Sequence, residues 1–385
     1  MRDNSYILYL LSFIPTYVLG EINELLRRGI NIRILMLGNS SRSAMWENIT
    51  GLDKNSILSS NFIGSTELNV GETYIQTAEK ISKLLIDENI GRIHTHFAKR
   101  EAQVGIRLAK ILGIPFSVIT HANDIFVPRD CDELKYLLGS STQVFTISEF
   151  NKNYLKKYLD DTQKIKVTHM GIDLNQLPQR IKKDKNIFSI LSIASGLVEK
   201  KGIQYLIRAC EILKKAKVLF KCTIVGSDPN LVVFHQINKQ IKSLGLSEQI
   251  ELPGIIPSEN LMQKIAESDV FVLPCIQADN GDMDGIPVSL IEAMGIGVPV
   301  VSTSISGIPE LIQDRENGLL ISPKNSNAIV DAFTYIFKHT GESEKMGKLA
   351  SQTVKNKFSI EGYINQLLDH WEVDSSKILS KSLVL

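Results

Sequence analysis

Short apolar runs alternate with amphipathic helical segments along most of the chain. Two examples are YILYLLS at residues 6–12 and DVFVLP at residues 269–274. Runs of this kind are apolar on both faces, as parallel strands are when helices cover both sides of a sheet. The alternation therefore predicts doubly wound α/β sheets, in which ligands bind beyond the carboxyl ends of the strands.

The length and one polar stretch predict two domains. One hydrophobic core usually serves no more than about 250–300 residues, and the chain has 385. A polar, basic stretch at residues 174–187 separates two strand–helix arrays, although it would also serve as a surface loop inside one domain. We expect domains over residues 1–175 and 188–355, facing each other across a cleft.

The composition of the chain indicates which class of partner and which cellular compartment to expect. The 43 basic and 42 acidic residues leave a net charge of +1, which indicates no nucleic-acid partner. No apolar run reaches the roughly 18–20 residues of a spanning helix, and the first run reads as a buried strand because no signal-peptide cleavage pattern follows it. The four cysteines lack metal-site or disulfide spacing and are expected to be buried thiols in a reducing cytoplasm: Cys131, Cys210, Cys222 and Cys275.

The stretch DGIPVSLIEAMGIGVPVVST at residues 284–303 carries the strongest chemical signal. Pro287 suits the first turn of a helix, and Gly285 lets the backbone approach a ligand closely. The helix that follows is apolar almost all round, so it should be buried, yet it carries Glu292. A buried carboxylate without a partner costs several kcal/mol, and vicinal ribose hydroxyls would be suitable partners.

The same helix entrance suggests how a phosphorylated sugar would be held. The open N-terminus offers backbone N–H groups to a phosphate, and Asp284 can accept hydrogen bonds from sugar hydroxyls. Two structural alternatives remain open at this point. Asp284 could simply cap the helix, and Glu292 could lie on a solvent-facing stripe or bond to the backbone.

This stretch resembles the signature of the retaining glycosyltransferases of GT-B fold, family four, in which seven residues separate two glutamates within EGxPxxLxEAMA. Here Asp284 stands in the first position, as in the branch that resembles exopolysaccharide and colanic-acid transferases, and Glu292 stands in the second. The resemblance implies two Rossmann-like domains, the first completed by a crossover helix at residues 359–385. It also implies that Asp284 contacts the donor sugar and that Glu292 binds the ribose. The backbone near the sugar and phosphates would be that of Gly285, Ile286, Pro287 and Val288.

Two further stretches of the second half resemble the family. SGLVEKKG at residues 195–202 is similar to GRLxxxKG, which implies that Lys201 pairs with the donor diphosphate. Gly196 replaces the arginine that is usual in that motif, so the phosphate clamp is weaker or another base supplies the charge. LPGIIP at residues 252–257 resembles the loop whose backbone meets the nucleotide base, which implies a binding role for Gly254 and Ile255.

In the first half, THANDIF at residues 120–126 and RIHTHFA at residues 92–98 resemble family segments that follow strands. The resemblance implies that His121 faces the donor sugar near the reaction centre and that His96 lies on the acceptor side. Each histidine could instead be a structural residue with its hydrogen bonds satisfied. The predicted catalytic residues are therefore His121, Asp284 and Lys201.

The resemblance implies transfer of a sugar, with retention, from a nucleoside-diphosphate sugar to a carbohydrate or lipid-linked acceptor, with no further cofactor. Asp282 and Asp284 also spell D-x-D, the metal motif of the other large transferase fold, but so short a match is weak and we predict no metal. The alternatives are a nucleotide-sugar epimerase or phosphorylase on the same fold, or a non-catalytic sugar-binding homologue.

A lysine-rich stretch suggests a location at the inner face of a membrane. Residues 152–166 hold five lysines beside Tyr154 and Tyr158, and a basic amphipathic stretch of this kind can lie on anionic lipid. An ordinary solvated helix face is the other interpretation. We expect a cytoplasmic protein, with peripheral membrane contact as a further hypothesis.

Overall fold

The computed structural model describes residues 5–37, 62–66, 72–127, 130–181, 187–227 and 231–373. The chain forms two compact units, Met1–Ile172 with Ile360–Leu385 and Asp173–Ser359. Each unit contains one sheet in which all pairings are parallel, so both have the doubly wound character that the apolar runs predict.

The first unit is built on a seven-stranded sheet with the order β3-β2-β1-β4-β5-β6-β7. Its strands are β1 (Tyr6–Leu11), β2 (Ile32–Leu37), β3 (Phe62–Thr66), β4 (Ile90–His96), β5 (Phe116–Thr120), β6 (Gln143–Thr146) and β7 (Ile165–Val167). The helices between them are α1 (Thr16–Arg27), α2 (Tyr74–Leu84), α3 (Arg100–Leu112), α4 (Cys131–Ser140) and α5 (Glu149–Leu155).

The second unit is built on a six-stranded sheet with the order β10-β9-β8-β11-β12-β13. Its strands are β8 (Phe188–Ile193), β9 (Phe220–Val225), β10 (Ile250–Gly254), β11 (Val270–Leu273), β12 (Val300–Thr303) and β13 (Leu319–Ile321). Its helices are α6 (Ile203–Lys215), α7 (Val232–Ser243), α8 (Ser258–Ala266), α9 (Val288–Ile296), α10 (Ile308–Leu311), α11 (Ser326–Lys338) and α12 (Thr340–Lys357).

The last described helix, α13 (Ile360–His370), belongs to the first unit. The Ile360 N–H donates to the carbonyl of Ile172 at 2.9 Å, where the chain leaves that unit. Arg28, just after α1, reaches Asn365 at 2.5 Å and the carbonyl of Glu361 at 3.0 Å. Residues that are far apart in sequence therefore complete one fold.

The apolar pattern explains the interior of both sheets. Leu8 and Tyr9 in β1 are fully buried, as expected of a central strand covered on both faces. The apolar stripe of α6 is also buried, from Ile203 to Leu213. One expectation was wrong: Cys131 is exposed at the start of α4, although the other three cysteines are buried thiols.

Three strands were not predicted, namely β3, β10 and β13, and all three lie at sheet edges. An edge strand pairs on one side only and needs no long apolar run, so its sequence signal is weak. β10 ends inside the LPGIIP segment, and β13 has only three residues.

None of the helices in the described ranges combines the length and apolar character that crossing a membrane requires.

Candidate functional site

A cluster of lysines and carboxylates forms where β8 and β11 end in the second unit. Nζ of Lys201 lies 2.7 Å from Oδ2 of Asp284, and Nζ of Lys200 lies 3.1 Å from Asp282 and 3.4 Å from Asp284. All four side chains are 12–13% exposed. The structure thus brings together Lys201 and Asp284, two of the three predicted catalytic residues, although they are 83 positions apart.

Glycine makes the close approach of these two loops feasible. Gly202 has φ of +66°, and a Cβ there would lie 1.9 Å from the carbonyl oxygen of Pro274. The Ile276 N–H also donates to the carbonyl of Lys200 at 2.8 Å. The turn after β8 is therefore held against the end of β11, which fixes where both lysines stand.

The cluster keeps its charges. Burial alone would lower the pKa of Lys201, but Asp284 beside it raises that pKa above its ordinary value. Burial alone would raise the pKa of Asp284, but Lys201 and Lys200 lower it. Cys275 Sγ donates to Asp284 at 3.4 Å, and burial raises its pKa well above the ordinary value, so it remains a thiol.

Lys200 and Asp282 are site residues that sequence reasoning missed. Lys200 is mostly buried, with its Nζ beside Asp282 and Asp284. The doubled lysine in the segment EKKG was the sequence feature that could have pointed to Lys200. The pairing also bears on the D-x-D motif, because a metal ion bound by Asp282 and Asp284 would have to displace both ammonium groups.

Glu292 lies in the middle of α9, which buries Leu290, Ile291 and Met294 as predicted. The helix begins at Val288, so Pro287 stands at the N-cap, one position before the expected first turn. Burial raises the pKa of Glu292 to about 7. Across the described part of the chain, no hydrogen bond or ion pair reaches its carboxylate. Glu292 is therefore a half-buried carboxylate for which the described residues of its unit provide no partner.

The remaining predicted donor-binding residues lie at the same edge of the sheet. Gly285 to Pro287 lead directly into α9, and the side chain of Ile286 is buried. Gly254 ends β10 with φ of +79°, and Ile255 after it is 80% exposed. Gly196 has φ of +76°, a conformation that would strain the arginine usual in the family. The binding roles of these residues stay predictions.

In the first unit, the two predicted histidines contact each other. His96 ends β4 and His121 follows β5, and Nδ1 of His96 lies 3.1 Å from Nε2 of His121. His121 is 6% exposed and His96 is 1% exposed. Backbone N–H groups of His121 and Ala122 donate to the carboxylate of Asp124, which holds the loop after β5 in place.

Behind His96 lies Glu21, a buried carboxylate of α1 that the sequence analysis did not single out. Its oxygens accept hydrogen bonds from the hydroxyls of Tyr9 and Tyr363, each at 2.5 Å. Nε2 of His96 lies 3.2 Å from Oε2, and Nε2 of His94 lies 3.7 Å from Oε1. The available signal was that Glu21 falls on the apolar stripe of α1, beside buried Val18, Ile22 and Leu25.

Burial and hydrogen bonding decide the charges of this group. Burial alone would raise the pKa of Glu21, but His96 foremost, then His94 and Tyr363, lower it to about 2. Burial lowers the pKa of His94 to about 3 and that of His121 well below its ordinary value. The carboxylate is therefore ionised at neutral pH, and both of these histidines are neutral.

The structure also places metal-type ligands together here. One ligand atom from each of Glu21, His94 and His96 lies within 4.8 Å of the other two, and all three residues are buried. Such a set suits a divalent ion such as zinc by ligand type. This set of ligands is separate from the D-x-D motif of Asp282 and Asp284, for which we predict no metal.

A pocket of about 510 Å³ opens beside the loops that follow β11, β12 and β13 in the second unit. Its lining residues are Gln277, Ala278, Asp279, Gly281, Ile305, Pro323 and Lys324. None of them is a predicted site residue.

Two doubly wound units, one carrying a lysine–aspartate cluster at the carboxyl edge of its sheet, form the architecture that the resemblance to GT-B glycosyltransferases implies. Each half of the chain matches a protein-family model. Residues 14–176 match Glycosyltransferase Family 4, and residues 175–353 match Glycosyl transferases group 1. The chain belongs to these glycosyltransferases.

Two relatives in sequence are named for colanic acid and amylovoran biosynthesis. The chain is 34% identical over 231 residues to the putative colanic acid biosynthesis glycosyltransferase WcaL of Escherichia coli K12, covering 59% of this chain and 55% of the relative. It is 39% identical over 168 residues to the amylovoran biosynthesis glycosyltransferase AmsK of Erwinia amylovora, covering 43% and 40%. The matched regions thus span about half the length of these relatives.

Solved structures confirm the fold. A glycosyltransferase from Rickettsia africae matches with a TM-score of 0.76 and 20% identity, covering 98% of this chain and 99% of that one. Anabaena Alr3699/HepE, solved with UDP-glucose, matches with a TM-score of 0.76 and 17% identity, covering 95% and 99%.

Proposed function

We propose that the protein transfers a sugar from a nucleoside-diphosphate sugar to a carbohydrate or lipid-linked acceptor in the synthesis of an exopolysaccharide or related glycoconjugate. The observation that carries this proposal is Glu292, a half-buried carboxylate with a pKa near 7 and no partner in the described residues. A ligand with vicinal hydroxyls would supply the missing hydrogen bonds. The names of WcaL and AmsK, and the UDP-glucose bound by HepE, support this choice.

The lysine–aspartate cluster gives the donor phosphates and sugar separate partners. Lys201 and Asp284 now neutralise each other at 2.7 Å. A donor would divide the pair, with phosphate oxygens taking the ammonium group and sugar hydroxyls donating to the carboxylate. Each buried charge then exchanges one partner for another, so neither is left uncompensated.

Lys200 offers the second positive charge where the family motif has an arginine and this chain has Gly196. It stands next to Lys201 and faces Asp282 and Asp284. As the leaving diphosphate gains negative charge, the two ammonium groups and the N-terminal N–H groups of α9 would stabilise it. This chemistry needs no metal ion and no further cofactor.

The stereochemical course that we propose is retention. The acceptor hydroxyl would attack from the face that the diphosphate leaves, and a phosphate oxygen would take its proton. Asp284 holds an ion pair with Lys201 and an interaction with Lys200, which suits a role in positioning the sugar.

A basic, aromatic surface on the first unit supports peripheral contact with a cytoplasmic membrane face. Nζ of Lys157 lies 3.7 Å from the ring centre of Tyr154 and 5.0 Å from that of Tyr158, and Phe150 nearby is 38% exposed. Co-sedimentation with anionic vesicles at low salt should recover the protein, and neutral vesicles should not. No recovery with anionic vesicles would contradict the contact.

The proposed function is tested by screening UDP-, GDP- and ADP-sugars for slow hydrolysis without acceptor. We expect one donor class to be cleaved, with the released sugar first appearing in the anomeric form of the donor by NMR. Glu292→Gln should weaken nucleotide binding about 10-fold or more, since a charge-assisted hydrogen bond is worth roughly 1.5–3 kcal/mol. Glu259→Gln, an exposed glutamate of the same unit, is the matched control.

Failure to bind any nucleotide sugar at millimolar concentration would contradict the proposed function. Interconversion of two nucleotide sugars without release of either sugar would point to an epimerase instead.

A further inference from the structure

The strand order of the first sheet reverses between β1 and β4. From β1 the sheet continues outward through β2 and β3, and from β4 it continues in the opposite direction through β5, β6 and β7. In open parallel sheets, ligands bind beyond the carboxyl ends of the strands at such a switch point. The residues that directly follow β1 and β4 therefore mark where we expect this unit to hold a ligand.

Two phenylalanines stand at that point. Phe13 is the second residue after β1, and Phe97 is the first residue after β4. Their rings stack, with centres 5.3 Å apart and planes 26° apart. Phe97 is half-buried and packs against one side of Phe13, yet 53% of Phe13 remains exposed. We call this pair, Phe13 and Phe97, the aromatic platform.

The backbone at Phe97 is strained. Its φ of +69° lies in the left-handed region, which bulky residues rarely adopt and which glycine adopts freely. The Phe97 N–H donates to the carbonyl of Ile119 at 2.8 Å, which holds the start of the turn. The Ala98 N–H donates to the carboxylate of Asp124 at 2.9 Å, which holds the next residue. The fold thus keeps an aromatic ring where its backbone would favour glycine, and strain of this kind is concentrated at ligand sites.

The aromatic platform adjoins His121, which the family resemblance places near the reaction centre. The centre of the Phe97 ring lies 4.5 Å from that of the His121 ring, and the two planes are tilted by 36°. A ligand that rests on the platform would therefore lie in the same part of the unit as a residue predicted to act in transfer.

Polar side chains from the loops after β4 and β5 accompany the aromatic platform. Lys99 and Asn123 are both exposed, and Nζ of Lys99 donates to Oδ1 of Asn123. Ammonium and amide groups can both bond hydroxyls, and ligand sites typically combine aromatic side chains with a few such polar groups. A pyranose ring has the matching chemistry, because its faces carry C–H groups and its edge carries hydroxyls. The face of an aromatic ring is negative and attracts the slightly positive C–H groups.

We propose that the aromatic platform holds a pyranose ring of the acceptor, with the C–H face of the sugar against Phe13. Phe13 is then a substrate-binding residue, and Phe97 is a positioning residue whose fixed backbone supports it. This inference rests on the proposed function and deepens it, since it assigns the saccharide part of the acceptor to this unit. A flexible lipid chain would need a longer apolar groove, and the exposed Lys99 and Asn123 favour a sugar instead.

The direct test is saturation-transfer difference NMR of the full chain with the methyl glycosides of glucose, galactose, mannose and fucose. These probes carry neither a lipid nor a nucleotide, so their signals report binding of the sugar alone. The aromatic protons of the protein are irradiated. We expect saturation to reach the ring C–H protons of at least one glycoside, because the face of that sugar would lie against Phe13.

Substitution of Phe13 then localises the signal. Phe13→Ala should weaken the affinity for the glycoside roughly 3- to 10-fold, the effect of one aromatic contact, and Phe13→Tyr should retain it because the ring is kept. Phe337→Ala is the matched control. Phe337 is 55% exposed, and its ring packs against that of Phe188 in the second unit with centres 5.8 Å apart. Circular dichroism checks that each variant is folded.

Transfer kinetics with the donor found by the hydrolysis screen give a second readout. In Phe13→Ala the KM for the glycoside should rise by the same factor, with a smaller change in kcat, because the contact is made in the bound acceptor and in the transition state alike. An equal loss of acceptor-free donor hydrolysis in Phe13→Ala would show that the ring contacts the donor, and it would overturn the proposal.

The binding experiment also has results that contradict the platform. No saturation of any glycoside by the wild type, or undiminished binding in Phe13→Ala, would overturn it. Saturation that reaches farnesyl phosphate, or the base protons of UDP, instead of the glycosides would assign the surface to a lipid or a nucleotide. Glycoside binding that depends on Phe13, without cleavage of any donor, would support the platform and count against the proposed function.

Discussion

Each unit has a carboxylate on a mostly apolar helix, fully buried at Glu21 and half-buried at Glu292, and the two carboxylates differ in their hydrogen-bond partners. In the first unit Glu21 faces two tyrosine hydroxyls and two histidines, and its pKa falls to about 2. In the second unit Glu292 has no partner in the described residues, and its pKa rises to about 7. The fold supplies the hydrogen bonds of Glu21, while the described residues supply none to Glu292, which is why we propose that a ligand supplies them.

The lysine–aspartate cluster is intermediate between Glu21 and Glu292 in how fully the protein itself compensates its charges. Lys201 and Asp284 satisfy each other, but each could exchange its partner for a phosphate or a hydroxyl at little cost in charge balance. A self-neutralised pair at a ligand site keeps the unliganded protein stable, and it still presents both signs of charge to an incoming donor.

The largest expected effect on stability comes from Glu21→Gln. A carboxyl group whose folded pKa is near 2 and whose unfolded pKa is near 4.5 stabilises the fold above about pH 4.5. That stabilisation is lost as the pH falls through 2. The substitution should therefore lower the free energy of unfolding by about 3 kcal/mol at pH 7 in urea titrations. Glu24→Gln should cost under about 1 kcal/mol, and equal losses would remove the distinction between these two glutamates.

The next effect concerns activity. Lys201→Met should lower kcat/KM for the donor by roughly 100-fold or more, because it removes a charge that would stabilise the leaving diphosphate. Steady-state kinetics measures this, with Lys242→Met on the exposed face of α7 as the control. An unchanged kcat/KM in the Lys201 variant would place the diphosphate elsewhere.

The smallest expected effect is on the free energy of unfolding of Glu292→Gln, and it has the opposite sign to that of Glu21→Gln. The folded pKa of Glu292 is raised, so the protonated form stabilises the fold below about pH 4.5, and this contribution is lost as the pH rises through 7. Glu292→Gln removes the penalty of the charged form, so unfolding free energy should increase by about 1–3 kcal/mol at pH 8 and hardly at all at pH 4.5. A destabilised variant at pH 8 would mean that Glu292 has a partner in the protein.

Much of the second unit could be predicted from sequence because its site is local. Asp284 and Glu292 lie eight positions apart on a loop and the helix it enters, so one motif describes both. The partner of Lys201 could not be predicted from helix periodicity, since the turn after β8 meets the loop after β11 only in three dimensions.

The first unit shows the opposite case. Glu21, His94 and His96 come from a helix and a strand about 70 positions apart, and Tyr363 joins from the last helix. Sequence reasoning singled out His96 and His121 by resemblance but gave no reason for them to touch. A glutamate on the apolar stripe of α1 was the signal that could have found the network.

The central claim is that the carboxylate of Glu292 accepts hydrogen bonds from the hydroxyls of a bound nucleotide. Calorimetry of nucleoside-diphosphate binding at pH 7, in buffers of different ionisation enthalpy, tests this claim most directly. Hydrogen bonds from the ribose would lower the pKa of Glu292 from about 7, so binding should release up to roughly half a proton more from the wild type than from Glu292→Gln, in which only the diphosphate contributes. Tight binding with the same proton balance in both proteins would contradict the account.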